Sequence, residues 1–210
     1  MTRPTVAEIN LTAIRKNLKK IKSLSRDSLI YPVVKANAYG HGYKKVVKEI
    51  ENSVDGLCVA TTEEALEIRK ITNKNILCME GPYDQKEFDL LIKNKIDIVF
   101  HSKRQIGFIE RTNDFPKEIK VWIKIDTGMN RLGFKEDEII DTFKKLQVKT
   151  KKIVLMSHFS SAAGTKSSKI KSKKQIDSFN KIEKKLNKMG FNPLSSLCNS
   201  GGLLNYKSSH

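Results

Sequence analysis

Short apolar runs alternate with amphipathic helical patterns along the whole chain of 210 residues. Runs of this kind are typical of strands that are buried on both faces of a parallel sheet. They lie at residues 30–34, 56–60, 76–79, 96–100, 119–125, 153–156 and 195–198. Helices between such strands make parallel βα units. The alternation therefore predicts an α/β fold, an incomplete TIM barrel of the (β/α)8 type with about seven of its βα units.

Residues with capping preferences mark several helix boundaries. Thr61 followed by Glu64 predicts a capping box at the start of one helix, and Asp84 with Glu87 predicts the start of the next. Gly190 is typical of the residue that follows a helix C-terminus. The long helix that it ends would bury Ile176, Phe179, Ile182, Leu186 and Met189.

The chain has a formal net charge of +17, from 40 Lys and Arg against 23 Asp and Glu. Such a balance can indicate a nucleic-acid partner. The lysines are nevertheless spread along the chain, and the densest stretch, Lys166–Lys188, alternates with an apolar helical pattern. We interpret this charge as a solvated helix face and predict no nucleic-acid partner.

The three cysteines, Cys58, Cys78 and Cys198, show neither a CxxC pair nor a metal-binding spacing. They predict a reducing compartment and no metal site. The N-terminal segment is polar, and no apolar run approaches membrane-spanning length. We therefore expect a cytoplasmic protein without a secretory signal and without a membrane partner.

Lys35 stands at the end of the first apolar run, where the working residues of a barrel are found. A lysine shielded from water there loses its solvation, and its amine, more readily neutral, can attack a carbonyl cofactor. The alternative is a strand-end lysine whose ammonium lies in solvent. Tyr39, Gly40 and Gly42 follow at once and favour a turn that presents groups to a ligand. His41 is interpreted as a turn residue without a catalytic role.

Four ordered motifs resemble those of the alanine racemase family, enzymes of fold type III that depend on pyridoxal 5'-phosphate (PLP). The first, VKANAYGHG at residues 34–42, is similar to the PLP-lysine signature of that family. DTGMNRLG at 126–133, SHF at 157–159 and NSG at 199–201 are similar to the ends of its fifth, sixth and seventh strands. Residues 5–17 resemble its opening segment. Together the motifs cover nearly the whole chain.

The resemblance implies catalytic roles for Lys35 and Arg131 and a modification of Lys124. Lys35 would form an aldimine with PLP, and its freed amine would then move the Cα proton on the face used for the D-enantiomer. Arg131 would help to hold the substrate carboxylate. Lys124 matches a lysine that is carbamylated in many family members and pairs with that arginine. The implied reaction interconverts L-alanine and D-alanine and supplies D-alanine for peptidoglycan.

The resemblance also implies that residues at three strand ends hold the cofactor. Tyr39 and Ser200 would bind the PLP phosphate, and His158 would lie against the pyridine ring. Asn199 would support the site, and Gly201 would permit close approach of the backbone. Each position also has an interpretation that needs no ligand: a half-buried tyrosine, a core histidine or, for Ser200, a helix N-cap.

Members of this family continue into an eighth strand with an Arg-Pro-Gly segment and then into a C-terminal β domain. That domain supplies an opposing catalytic tyrosine across a homodimer interface. We therefore expect residues 1–210 to be an incomplete PLP-binding N-terminal barrel domain of a homodimeric enzyme. Alone, the chain should have low stability and negligible racemase activity, because one face of Cα would have no acid or base.

Other functions remain open from the sequence. One is a racemase that acts on another amino acid, such as serine or a basic residue. A second is a non-catalytic PLP-binding protein of the single-domain barrel type, although the Tyr39-Gly40-His41-Gly42 continuation favours the racemases. A third is an amino-acid decarboxylase of the same barrel superfamily, although the residues around the lysine differ in those enzymes. A nucleic-acid-binding protein is supported by the charge alone.

Overall fold

The computed structural model describes residues 4–209 of the chain. These residues contain six β-strands, all parallel, in one sheet whose order follows the chain. The strands are β1 (Gly56–Val59), β2 (Asn75–Cys78), β3 (Asp97–Phe100), β4 (Val121–Lys124), β5 (Ile153–Met156) and β6 (Leu194–Ser196). Each strand pairs with its successor and the order never reverses, which is the topology of a barrel rather than of a doubly wound sheet.

Helices connect and flank the strands. They are α1 (Leu11–Leu24), α2 (Tyr43–Ile50), α3 (Thr62–Arg69), α4 (Gln85–Lys93), α5 (Lys103–Glu110), α6 (Glu136–Gln147), α7 (Lys166–Lys188) and α8 (Ser200–Asn205), with 3-10 turns at Glu51–Ser53 and Lys207–Ser209. A short helical turn, Lys35–Tyr39, lies between α1 and α2. Helix α1 contacts α8, so the sheet curls into a half-barrel and brings the first and last of these helices together.

The predicted first strand at residues 30–34 is wrong as a full strand. Val33 makes a single parallel bridge to Cys58, flanked by hydrogen bonds from the Val34 N–H to the Cys58 carbonyl and from the Cys58 N–H to the Pro32 carbonyl, both 2.8 Å. Pro32 has no N–H to extend the ladder. The chain then turns sharply after Lys35. Of the seven predicted runs, six therefore form strands of the sheet, and the first contributes a single bridge.

Both faces of the sheet are apolar, as expected for a barrel wall. The outer face packs against the helices in one large core. A second, smaller core lies on the inner face and consists of Cys58, Leu77, Val99, Trp122 and Val154, packed against Tyr31, Met79 and Met156. Side chains alternate along a strand. Lys124, two residues after Trp122, therefore points to the inner face at the C-terminal end of β4.

Helix α7 carries the densest group of lysines on its exposed side. Its buried side includes Ile176, Phe179, Ile182 and Leu186, as the apolar pattern predicted, whereas Met189 is exposed. Its lysines at positions 166, 169, 171, 173, 174, 181, 184, 185 and 188 are all exposed. The interpretation of this stretch as a solvated helix face is confirmed. Within residues 4–209, no helix combines the length and the apolar character needed to cross a membrane.

The predicted N-cap residues lie at helix starts, but the Glu64 carboxylate does not form the hydrogen bond that a capping box requires. Thr61 accepts a hydrogen bond from the Glu64 N–H at 3.4 Å and Asp84 accepts one from the Glu87 N–H at 2.8 Å, which confirms both N-caps. The capping box at Thr61 would also require Glu64 to bond back to the Thr61 N–H. Instead, Glu64 accepts hydrogen bonds from Ala60 and from a residue 28 positions earlier.

Candidate active site

The backbone after Lys35 forms a left-handed helical turn, which we call the lysine turn (Lys35–Tyr39). Ala36, Asn37, Ala38 and Tyr39 have φ angles of 49°, 55°, 54° and 53°. This conformation costs about 1–2 kcal/mol for each residue other than glycine. Four successive residues keep this strained backbone conformation only where surrounding contacts stabilise it. Such strain is concentrated at functional sites.

Polar contacts on several sides hold the lysine turn. The Asn37 side chain accepts a hydrogen bond from the Tyr43 N–H at 2.9 Å. His41 Nδ1 lies 2.9 Å from the Ala38 carbonyl and 3.1 Å from the Tyr39 carbonyl, so this nitrogen must carry a proton to donate. His41 thus acts as a turn residue.

The side chains of the lysine turn differ in exposure. Lys35 is half-buried, and its charge acts on two residues of the inner face, Lys124 and His158. Tyr39 is 59% exposed, so the alternative of an ordinary half-buried tyrosine does not describe it. The turn therefore presents one half-buried lysine and one exposed tyrosine at the C-terminal end of the barrel wall.

Lys35, Lys124, Arg131 and His158 form what we call the cationic cluster. Lys124 is only 7% exposed. Burial lowers the pKa of its ammonium, and the charges of Arg131 and Lys35 lower that pKa further, whereas the carboxylates of Asp126 and Glu80 act in the opposite direction. Burial also lowers the pKa of His158, and the charges of Lys124, Arg131 and Lys35 act in the same direction. The cluster therefore favours a neutral imidazole and attracts an anionic ligand.

The segment after β4 is a rigid loop that carries Arg131. One oxygen of Asp126 accepts hydrogen bonds from three successive N–H groups, those of residues 128, 129 and 130, at 2.9–3.0 Å. The Phe134 N–H then donates to the Lys124 carbonyl at 2.8 Å, which returns the chain to the end of β4. Gly133 has φ 137°, and a Cβ there would lie 2.6 Å from the Asp126 nitrogen. Only glycine fits this return.

A buried polar network connects two strand ends to α7, and Gln175 is at its centre. Gln175 is 2% exposed. Its amide donates to the His158 carbonyl at 3.0 Å and to the Thr127 hydroxyl at 3.3 Å, and its oxygen accepts from the Ser160 N–H at 3.0 Å. The Thr127 hydroxyl also lies 2.8 Å from that of Ser157. The network fixes the backbone at His158 relative to the loop that carries Arg131.

The start of α8 rules out the interpretation of Ser200 as a helix N-cap. Asn199, rather than Ser200, is the N-cap, since its side chain accepts from the Gly202 N–H at 2.9 Å. Ser200 is the exposed first residue of the helix. A Cβ on Gly201 would lie 2.8 Å from the Ala162 carbonyl. Packing against the chain itself therefore explains why position 201 must be small.

A family model for the N-terminal domain of alanine racemases matches residues 9–210. The chain belongs to the alanine racemase N-terminal domain family. It is 39% identical over 213 residues to the alanine racemase of Haemophilus influenzae, covering 99% of this chain and 57% of that protein. The alanine racemase of Mannheimia succiniciproducens is 37% identical, with 99% and 57% covered. The chain thus spans somewhat over half the length of these relatives.

Solved structures show the same similarity for this alanine racemase N-terminal domain. The biosynthetic alanine racemase of Pseudomonas aeruginosa superposes with a TM-score of 0.88 at 32% identity, covering 100% of this chain and 57% of that one. The alanine racemase of Acinetobacter baumannii gives a TM-score of 0.85 at 33% identity, with 96% and 55% covered. The likeness confirms the predicted incomplete TIM-type barrel.

Three residues near the site of this alanine racemase N-terminal domain were not predicted. Glu64 was interpreted only as a cap partner. Gln175 lies among Lys173, Lys174 and Asp177, where the local sequence does not distinguish it from a residue that faces solvent. His101 is half-buried; its Nε2 lies 2.9 Å from the Glu80 carbonyl, and the charge of Lys124 acts on it. His101 directly follows the apolar run at residues 96–100, and this strand-end position was the available signal.

Acidification is expected to destabilise this domain through His158. The folded state lowers the pKa of its imidazole, whereas the unfolded chain has the ordinary value of about 6.5. The stability gained from neutral His158 is therefore complete above about pH 6.5 and is lost as the pH falls through it, because the unfolded chain binds the proton more tightly. Urea unfolding at about pH 7.5 and about pH 5.5 measures the difference.

His158→Gln should reduce this pH dependence without removing it. Burial also lowers the pKa of His101, which contributes in the same direction. A His158→Gln variant with the same loss of stability between the two pH values as the parent protein would contradict the prediction.

Proposed function

We propose that this chain is the PLP-binding part of an alanine racemase that interconverts L-alanine and D-alanine and supplies D-alanine for peptidoglycan. The observation that carries the proposal is that the half-buried Lys35 belongs to the cationic cluster at the C-terminal end of the barrel wall. Catalytic sites of such barrels lie at this end. We further propose a cytoplasmic homodimer in which residues 1–210 form the N-terminal barrel domain.

The residues present fit PLP, an aldehyde that carries an anionic phosphate. The primary amine of the half-buried Lys35 suits covalent capture of an aldehyde, and the cationic cluster suits a phosphate and a substrate carboxylate. Tyr39 and Ser200, both exposed, would hold the phosphate. His158 would lie against the ring, and Asn199 would support the start of α8 beside it.

Racemisation requires removal of the Cα proton on one face and return of a proton on the other, and the residues described here would serve one of these faces. When bound, PLP supplies an electron sink that acidifies the substrate Cα–H. The Lys35 amine would take or return that proton on the face of the D-enantiomer. Arg131, on its rigid loop, would orient the substrate carboxylate, and neutral His158 would pack without adding charge. The opposite face needs a second acid or base, which the resemblance assigns to a C-terminal domain.

Proton exchange at Cα tests the proposed function directly. We expect the gene product, loaded with PLP in D2O, to convert L-alanine to D-alanine and to place deuterium at Cα in the same reaction. A sample of residues 1–210 alone should give negligible conversion, because only one face would have a base. NMR detects the exchange, and a D-amino-acid oxidase assay detects the product.

Exchange with serine or a basic amino acid but not with alanine would favour a racemase for another amino acid. No exchange with any of these amino acids would favour a non-catalytic PLP-binding barrel.

Lys124 is proposed to carry a carbamate. A neutral amine adds to carbon dioxide and releases one proton, and both burial and the charges of Arg131 and Lys35 favour the neutral amine. The resulting anion would pair with Arg131 and reduce the excess positive charge of the cluster.

In 13C-labelled bicarbonate, the protein should show one carbamate carbon signal by NMR. Lys124→Ala should lack it, whereas replacement of the exposed Lys48 should retain it; the same signal in both variants would contradict the assignment.

A further inference from the structure

The Glu64 carboxylate joins two backbone segments at the C-terminal end of β1. One oxygen accepts a hydrogen bond from the Ala36 N–H at 2.6 Å, and the other accepts one from the Ala60 N–H at 2.8 Å. Ala60 directly follows β1, and Ala36 directly follows Lys35. Hydrogen bonds to a charged acceptor are roughly twice as strong as neutral ones. Glu64 therefore fixes the backbone beside Lys35 to the edge of the barrel wall.

Glu87 occupies the equivalent position one βα unit later and shows what is particular to Glu64. Its carboxylate accepts from the N–H of Tyr83, the residue before the N-cap, at 3.0 Å, as Glu64 does in its own unit. Its other hydrogen bond, also 3.0 Å, comes from the Thr62 hydroxyl in α3. Both glutamates are half-buried. The contact that distinguishes Glu64 is therefore its bond to Ala36.

The position of this bond matters because Ala36 is the first left-handed residue of the lysine turn. The turn carries a conformational cost at each of its four left-handed residues. A restraint at its first peptide determines the direction in which the Lys35 side chain leaves the backbone. Without that restraint, the turn can relax towards conformations that are less costly for residues other than glycine.

We propose that Glu64 is a positioning residue, which holds the lysine turn in its left-handed form so that the Lys35 amine faces the other members of the cationic cluster. The inference rests on the proposed function and deepens it, since it assigns the group that aims the cofactor-binding lysine. In this role Glu64 touches neither cofactor nor substrate and acts only through the Ala36 peptide.

The test compares Glu64→Ala and Glu64→Gln with the matched controls Glu87→Ala and Glu87→Gln in the gene product. The first readout is the rate at which Lys35 captures added PLP, followed by borohydride fixation and peptide mapping. The second is hydrogen–deuterium exchange at the Ala36 amide without PLP. Glu64→Ala should capture PLP about tenfold more slowly, from the loss of one charge-assisted hydrogen bond, and should exchange Ala36 faster. Glu64→Gln, which retains one acceptor oxygen, should be intermediate.

The Glu87 variants should leave both readouts at parent values, even where they lower the free energy of unfolding. Parent-like capture and exchange in Glu64→Ala would overturn the proposal, and so would an equal loss in Glu87→Ala. If Glu64→Ala does not fold, the same comparison between Glu64→Gln and Glu87→Gln decides. If the parent protein itself captures no PLP, the proposed function fails, while exchange at Ala36 still decides whether Glu64 holds the turn.

Discussion

Replacing Lys35 with alanine should abolish covalent capture of PLP and lower racemase activity of the gene product by about 10³-fold or more. The substitution removes both the amine that anchors the cofactor and the base that moves the Cα proton on one face. Borohydride treatment in the presence of PLP, followed by digestion and mass spectrometry, shows which lysine carries the label. Racemase activity follows from the rate of D-alanine formation.

Lys124 is the matched comparison for this experiment, because it is the buried lysine of the same cluster. Lys124→Ala should retain the label on Lys35, and replacement of the exposed Lys48 should change nothing. A label on Lys124 in the parent protein, or a label that persists in Lys35→Ala, would show that the amine has been assigned to the wrong residue.

Replacing Gln175 with leucine should destabilise the domain by about 2–4 kcal/mol. Leucine has a side-chain volume similar to that of glutamine but cannot form hydrogen bonds. The Ser160 N–H and the His158 carbonyl therefore lose their buried partner, and each such loss costs about 1–3 kcal/mol. Urea unfolding measures the change in the free energy of unfolding. PLP capture should also weaken, since the backbone at His158 loses its attachment to α7.

Gln85 provides the control for this prediction. Its amide nitrogen donates to Asp89 at 2.9 Å and its oxygen accepts from Arg111 at 3.3 Å, and both hydrogen bonds are exposed. Gln85→Leu should therefore change the free energy of unfolding by no more than about 0.5 kcal/mol. Equal effects of the two substitutions would show that the buried network does not stabilise the fold.

The strands of this domain could be predicted because their signal is local. Residues 121–123 and 153–156 are continuous apolar runs, and a strand buried on both faces requires such a run wherever it lies in the sheet. The first run failed for an equally local reason. Pro32 interrupts its ladder, and the left-handed turn begins within a few residues.

The candidate site was predictable to a smaller extent. Lys35, Lys124 and His158 follow apolar runs, so their places at strand ends could be read from the chain, and the structure brings them into one cluster with Arg131. The start of α8 was less predictable. Asn199 and Ser200 are both good N-caps, and only the observed backbone makes Asn199 the acceptor.

The sequence by itself determined the order of strands and helices, the caps at Thr61 and Asp84, and the motif that contains Lys35. These depend on contacts within a few residues. Only the tertiary structure decided what the Glu64 and Gln175 side chains bind, because their partners lie 28 and 48 positions away and are brought near by the curvature of the sheet. A polar side chain on a helix shows the same local pattern whether it faces water or a strained turn, and the packing of the barrel determines which it meets.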